Sequence, residues 1–90
     1  MKKQAHVYYI GRVQGVGFRF TVASLALKSG IKGWVKNLYD GKVELLAEAE
    51  EAVLNEFLNK ISQIFSRYIQ NSEIEWIRAG EKFKDFRVEF

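Results

Sequence analysis

Arg19 and Asn37 are the two polar residues that local structural preference would not put where they are. Arg19 follows a glycine-rich bend and begins an apolar helical run, where a cation opposes the positive end of the helix dipole. Asn37 falls within a strand-like run, where β propensity disfavours it. A bound anion removes the first conflict. The bend reads Gly11–Arg12–Val13–Gln14–Gly15–Val16–Gly17–Phe18–Arg19, with three glycines in seven residues. Glycine admits positive φ and close backbone approach, so N–H groups can converge there. A helix start adds unpaired donors. The stretch therefore reads as a cradle for a small anion, a phosphoryl group above all.

Arg19 cannot serve as a base, because guanidinium does not lose its proton in proteins. Its role is to bind phosphoryl oxygens, more strongly as charge redistributes in the transition state. Asn37 can accept from a water and donate to a phosphoryl oxygen, so it can orient a nucleophile. A site with neither base nor metal demands a labile substrate. An acyl phosphate fits, because it leaves as a carboxylate and needs mainly positioning and charge stabilisation. His6 lies far back from the bend and reads as a partly exposed strand residue rather than a base. The Gln14 side chain is expected to be idle, with its backbone carrying the function. Trp34 and Trp76 read as core or sheet-face packing.

The elements that must position these residues follow from periodicity. A strand is expected over Gln4–Val13, with Val7 and Tyr9 on one face. A helix follows over Phe20–Ser29, with Val22, Ala23, Ala26 and Leu27 as its buried stripe and Gly30 as its terminator. A second strand spans Lys32–Tyr39, with Val35 and Asn37 on one face. Asp40–Gly41 predicts a tight hairpin with positive φ at both residues, leading to a strand over Lys42–Glu48. Apolar residues at spacings of 3 and 4 predict a long helix from Glu50 to about Ile69, stopping at Asn71–Ser72. Strands at Glu73–Ala79 and Asp85–Phe90 complete the chain, joined by Gly80–Lys84. This order predicts an α+β, ferredoxin-like βαββαβ sandwich, with an antiparallel sheet, two helices on one face and a short fifth C-terminal strand. The right-handed crossover lets the second strand run close to the first, so Arg19 and Asn37 can share a pocket.

Composition sets the outer limits. The 90 residues suffice for one domain, residues 1–90, and 48% of them are hydrophobic. The absence of Cys excludes disulfides, thiolate zinc and thiol catalysis, and a lone His makes a multi-histidine metal site a poor fit. No metal and no cofactor are expected. The net charge of +3 is a mild bias that suits an anionic substrate. With no apolar run of spanning length and no signal-like stretch, a cytoplasmic monomer is expected, with neither membrane nor nucleic-acid partner.

The two polar residues also sit inside longer motifs. The run Gly11–Arg19 resembles the first signature of the acylphosphatase family. Gly33–Trp34–Val35–Lys36–Asn37–Leu38–Tyr39–Asp40–Gly41–Lys42–Val43–Glu44 resembles its second, and the interval between Arg19 and Asn37 matches the family's. The resemblance extends over the whole chain. It implies hydrolysis of acyl phosphates to a carboxylate and orthophosphate, without metal or cofactor. It assigns Arg19 to the phosphate, Asn37 to the attacking water, and the backbone amides of Gln14, Gly15, Val16, Gly17, Phe18 and Arg19 to the phosphate cradle. Two positions depart from the family pattern. Val22 stands where many members have Thr, and Tyr68–Ser72 replaces a Gly-Pro after the second helix. Two rival readings are a non-catalytic carbamoyl-phosphate-handling or regulatory relative of the same fold and an RNA-recognition module. The latter would need Gly17–Phe18–Arg19–Phe20 on a central strand with its rings facing outward.

Overall fold

In the computed structural model, which describes residues 1–80 and 83–90, the chain runs β1 (Lys2–Gly11), α1 (Phe18–Lys28), β2 (Lys32–Asn37), β3 (Val43–Glu50), α2 (Glu51–Ile64), β4 (Ile69–Arg78) and β5 (Phe86–Glu89). The strands form one sheet in the order β4-β1-β3-β2-β5. β1 pairs antiparallel with β3 and β4, and β2 antiparallel with β3. β5 pairs parallel with β2, so the sheet is mixed rather than wholly antiparallel. The architecture is the expected α+β, ferredoxin-like one. Part of the expected Gly80–Lys84 link lies outside the described residues.

Strand alternation builds the core. Ala5, Val7 and Tyr9 of β1, Val35 of β2, and Val43, Leu45 and Ala47 of β3 all point to the helix side and are buried. Val22, Ala23 and Ala26 of α1 and Leu54, Phe57, Leu58 and Ile61 of α2 close over them. Burial pushes the Tyr9 phenol well above its ordinary pKa.

The buried stripe of α1 includes Phe18 and omits Leu27, which is exposed. The helix begins two residues earlier than the spacing implied. Residues 18, 22 and 26 then define its inward face, and Leu27 falls about 100° further round.

α2 ends at Ile64, well short of Ile69. Its last ladder bond is Phe65 N–H to Ile61 O at 3.0 Å, after which Tyr68 and Ile69 N–H both donate to Phe65 O at 2.9 Å. Ile69 pairs instead with Gly11, and Arg12 N–H reaches Tyr68 O at 2.9 Å. Asn71 and Ser72 therefore lie inside β4 rather than at a helix stop. Sheet pairing supplies backbone partners that a longer helix would have had to supply itself. None of the helices among the described residues is long and apolar enough to cross a membrane.

The hairpin is also longer than a two-residue turn. Gly41 N–H donates to Leu38 O at 3.2 Å and Leu38 N–H to Lys42 O at 2.8 Å. Only Gly41 has positive φ, at 92°, as in a loop closed by one left-handed residue.

The face of the sheet away from the helices is polar at its centre. Glu44 accepts from Tyr8 Oη at 3.1 Å and lies 2.6 Å from His6 Nε2. That hydrogen bond raises the Tyr8 phenol above its usual pKa. Trp34 is half-buried on this face, with Lys36 Nζ 5.0 Å from its ring centre. Trp76 pairs with Ala5 on the edge strand β4 and stays exposed, because the helices do not reach that edge; it is not a core residue.

Candidate active site

β1 is turned out of the sheet at Gly11, where its pairing with β4 shifts register. A Cβ at Gly11 would meet Tyr68 O at 2.3 Å, so the two backbones can approach this closely only at glycine. The buried Val13 then anchors the loop. Gly15 and Gly17 take left-handed φ of 78° and 77°, and the space beside both is open. Phe18 packs between Tyr9 and Phe65, with ring centres at 5.0 and 4.6 Å, and this fixes where α1 begins. The first ladder bond runs from Thr21 N–H to Gly17 O at 3.1 Å. The N–H groups of Phe18, Arg19 and Phe20 therefore precede the ladder, in a first turn without Asp or Glu.

Asn37 reaches this loop through strand parity and topology. It shares the helix-side face with Val35 and is the last residue of β2. β1 and β2 are not neighbours, because β3 lies between them. They run in the same direction, however, so their C-terminal ends fall at one edge of the sheet. There Val13, Gly15, Gly17, Phe18, Arg19, Phe20 and Asn37 line a cavity of about 260 Å³. Among the described residues, Asn37 Oδ1 is the one buried side-chain polar atom without a hydrogen-bond partner.

Of the six cradle residues, Gly15, Gly17, Phe18 and Arg19 line the cavity. Val16 packs against the core instead. The Gln14 side chain is not idle. Its Nε2 donates to Leu38 O at 2.8 Å and to Lys42 O at 3.0 Å, joining the loop to the hairpin that follows Asn37. His6 faces the opposite side of the sheet and takes no part.

The Arg19 side chain is held by the C-terminal strand. Nη1 donates to Glu89 O at 2.9 Å, and the guanidinium carbon lies 4.9 Å from the Phe90 ring centre. Nothing local in the sequence announces Glu89 or Phe90 as site residues. They arrive because β5 pairs with β2. Val22 is fully buried, faces the core and adds no group to this cavity. Phe18 is buried at the start of α1, so this segment does not carry the exposed strand ring that the RNA-recognition reading needs.

Fold and cavity together define a small ferredoxin-like α+β domain with its polar chemistry gathered at one strand-to-helix turn. A sequence model of the acylphosphatase family matches residues 5–88. An acylphosphatase of Caldanaerobacter subterraneus subsp. tengcongensis is 40% identical, covering 98% of this chain and 99% of the relative. One of Geobacillus kaustophilus is 51% identical, covering 96% and 93%. The crystal structure of acylphosphatase from Bacillus subtilis superposes with a TM-score of 0.90 at 37% identity, covering 98% and 99%. The chain belongs to the acylphosphatase family.

Proposed function

We propose that the protein hydrolyses the carboxyl–phosphate bond of small acyl phosphates by in-line attack of a water held by Asn37. The phosphoryl group sits in the cradle formed by the backbone from Gln14 to Arg19, with the Arg19 guanidinium on its oxygens. The water oxygen bonds to phosphorus, the bond from phosphorus to the bridging oxygen breaks, and the carboxylate leaves with the electron pair. The water's proton passes to solvent or to the phosphate product. A carboxylate is a good enough leaving group that positioning and charge stabilisation suffice, so neither metal nor cofactor is needed.

The observation that carries this reading is Asn37 Oδ1. It is a buried acceptor without a protein donor, on a residue that lines the same cavity as Arg19. A buried carbonyl left unpaired costs about 1–3 kcal/mol, and a water donating to it relieves that cost. One chain carries the whole cavity, which supports action as a monomer. The setting in this reading is the cytoplasm.

The test is release of orthophosphate from benzoyl phosphate in EDTA, with orthophosphate as competitive inhibitor. Asn37→Ala should lower kcat by roughly a hundredfold, the scale for loss of a transition-state contact, and leave the phosphate inhibition constant nearly unchanged. No turnover by folded wild type would sink the reading. A variant that lost phosphate affinity but kept kcat would reverse the assigned roles.

A further inference from the structure

Asn37 lines two hollows. Besides the phosphate cavity of about 260 Å³, it borders a neighbouring hollow of about 370 Å³ with Lys36, Leu38, Tyr39 and Phe90. Hydrolysis uses the first and leaves the second idle. The second holds two large rings open to solvent, Tyr39 fully exposed and Phe90 94% exposed. Single exposed apolar residues are ordinary, but two rings on one hollow beside the site make a patch with a place in it. Among the described residues, its one charged side chain is Lys36. That ammonium is turned to the opposite face of the sheet, 3.7 Å from Glu44 Oε1 and 5.0 Å from the Trp34 ring centre. The hollow is therefore aromatic and without a free charge.

Its position decides what it could take. In-line displacement puts the nucleophile on one side of phosphorus and the leaving carboxylate on the other. Asn37 marks the side of the nucleophile, and the second hollow adjoins Asn37. An occupant there stands where water stands, not where the acyl group leaves. The hydroxyl of an alcohol attacks through oxygen as water does, and Asn37 Oδ1 can accept its hydrogen bond. Two rings without a free charge suit a neutral aromatic body. Water is in great excess, so an alcohol competes only where the site holds it in place. We propose that this hollow is an acceptor site, and that the protein transfers the phosphoryl group of an acyl phosphate to neutral aromatic alcohols as well as to water. The alcohol oxygen bonds to phosphorus, the bond from phosphorus to the bridging oxygen breaks, and the carboxylate leaves with the electron pair. The hydroxyl proton passes to solvent or to the phosphate monoester that forms. This activity goes beyond hydrolysis and rests on the acyl phosphate reading above.

The test incubates wild type with acetyl phosphate in EDTA, alone and with benzyl alcohol or 1-propanol at equal concentration. Phosphorus NMR measures phosphate ester and orthophosphate, and acetate release measures total turnover. The ratio of ester to orthophosphate reads the acceptor site independently of overall rate. Benzyl alcohol should give a ratio about tenfold above that of 1-propanol, the scale of one aromatic contact. Tyr39→Ser should bring the two alcohols within about twofold, and Tyr39→Phe, which restores the ring, should keep the wild-type preference. Acetate release with no benzyl ester would overturn the acceptor site and leave hydrolysis standing. Equal ratios for the two alcohols, a preference that survived Tyr39→Ser, or one lost in Tyr39→Phe would also overturn the acceptor site. No acetate release with or without alcohol would overturn the hydrolase reading and the acceptor site with it. Benzyl ester formed without orthophosphate would overturn hydrolysis and leave the acceptor site standing.

Discussion

Gln14 and Leu38, 24 positions apart, are joined by a hydrogen bond of 2.8 Å from Nε2 to the main-chain oxygen. The second amide contact, to Lys42 O at 3.0 Å, grips the other side of the same hairpin. One side chain therefore sets the distance between the glycine-rich loop and the strand end that carries Asn37.

Gln14→Leu keeps the volume and removes both donors. Leu38 O and Lys42 O keep their hairpin donors, the N–H groups of Gly41 and Leu38, so the loss is that of two net hydrogen bonds, about 1–3 kcal/mol together. For a domain of this size that is a fall in Tm of roughly 4–8 °C per kcal/mol. The kcat for benzoyl phosphate should fall by about tenfold, since misplacing a nucleophile by a fraction of an ångström is costly. Orthophosphate inhibition should change little. A lower Tm with unchanged kcat would reduce Gln14 to a structural tie.

Arg19→Lys keeps the charge but loses the fork. Arg19 spends one N–H on Glu89 O, which aims the remaining donors, and a lysine ammonium cannot do both jobs. Steady-state kinetics should give a KM and a phosphate inhibition constant raised by about tenfold, with kcat down by roughly a hundredfold. Rescue of kcat to the wild-type level by lysine would mean that charge alone matters.

Gly17→Ala and Gly30→Ala form a matched pair. Both glycines have left-handed φ, 77° and 68°, with open space beside them. Each substitution should therefore cost a similar ~1–2 kcal/mol in thermal unfolding. Only Gly17 lines the cavity. Phosphate affinity should fall by about tenfold or more in Gly17→Ala, where a methyl group crowds the cradle, and stay unchanged in Gly30→Ala. Equal phosphate affinity in the two variants would remove Gly17 from the cradle.

Alkali should act through Tyr9. Its phenol is buried and its pKa raised in the folded state, so the folded protein holds the proton after the unfolded chain has lost it. The stabilisation is complete below about pH 10, the unfolded value, and is lost as pH rises above it at about 1.4 kcal/mol per pH unit. Between pH 9 and pH 11 the Tm of wild type should drop further than that of Tyr9→Phe. Parallel curves would mean that Tyr9 does not carry the alkaline transition.

Arg19 and Asn37 were legible because each breaks a local preference, and local preference is what a sequence displays. The sheet faces were legible for the same reason, since Val35 and Asn37 share a face by strict alternation. Gln14, Glu89 and Phe90 were not legible as partners, because their contacts span distances along the chain that periodicity cannot report. The end of α2 was misread for a different reason. Tyr68 and Ile69 continue the helical spacing, yet they enter the core from a turn and from β4. An apolar residue at the right interval satisfies either geometry, and the backbone pairing with Gly11 decides between them. Leu27 shows how a two-residue error in a helix start rotates the inferred face.

The Arg19–Glu89 bond joins positions separated by 70 residues, and β5 has its sheet partner in β2. Closing a loop of that size is among the slower events in the folding of a small domain. With no proline in the chain, prolyl isomerisation adds no delay of its own. During refolding, helix signal should return before β5 docks, and phosphate affinity only afterwards. The candidate site can thus serve as a clock for the last long-range contact to form.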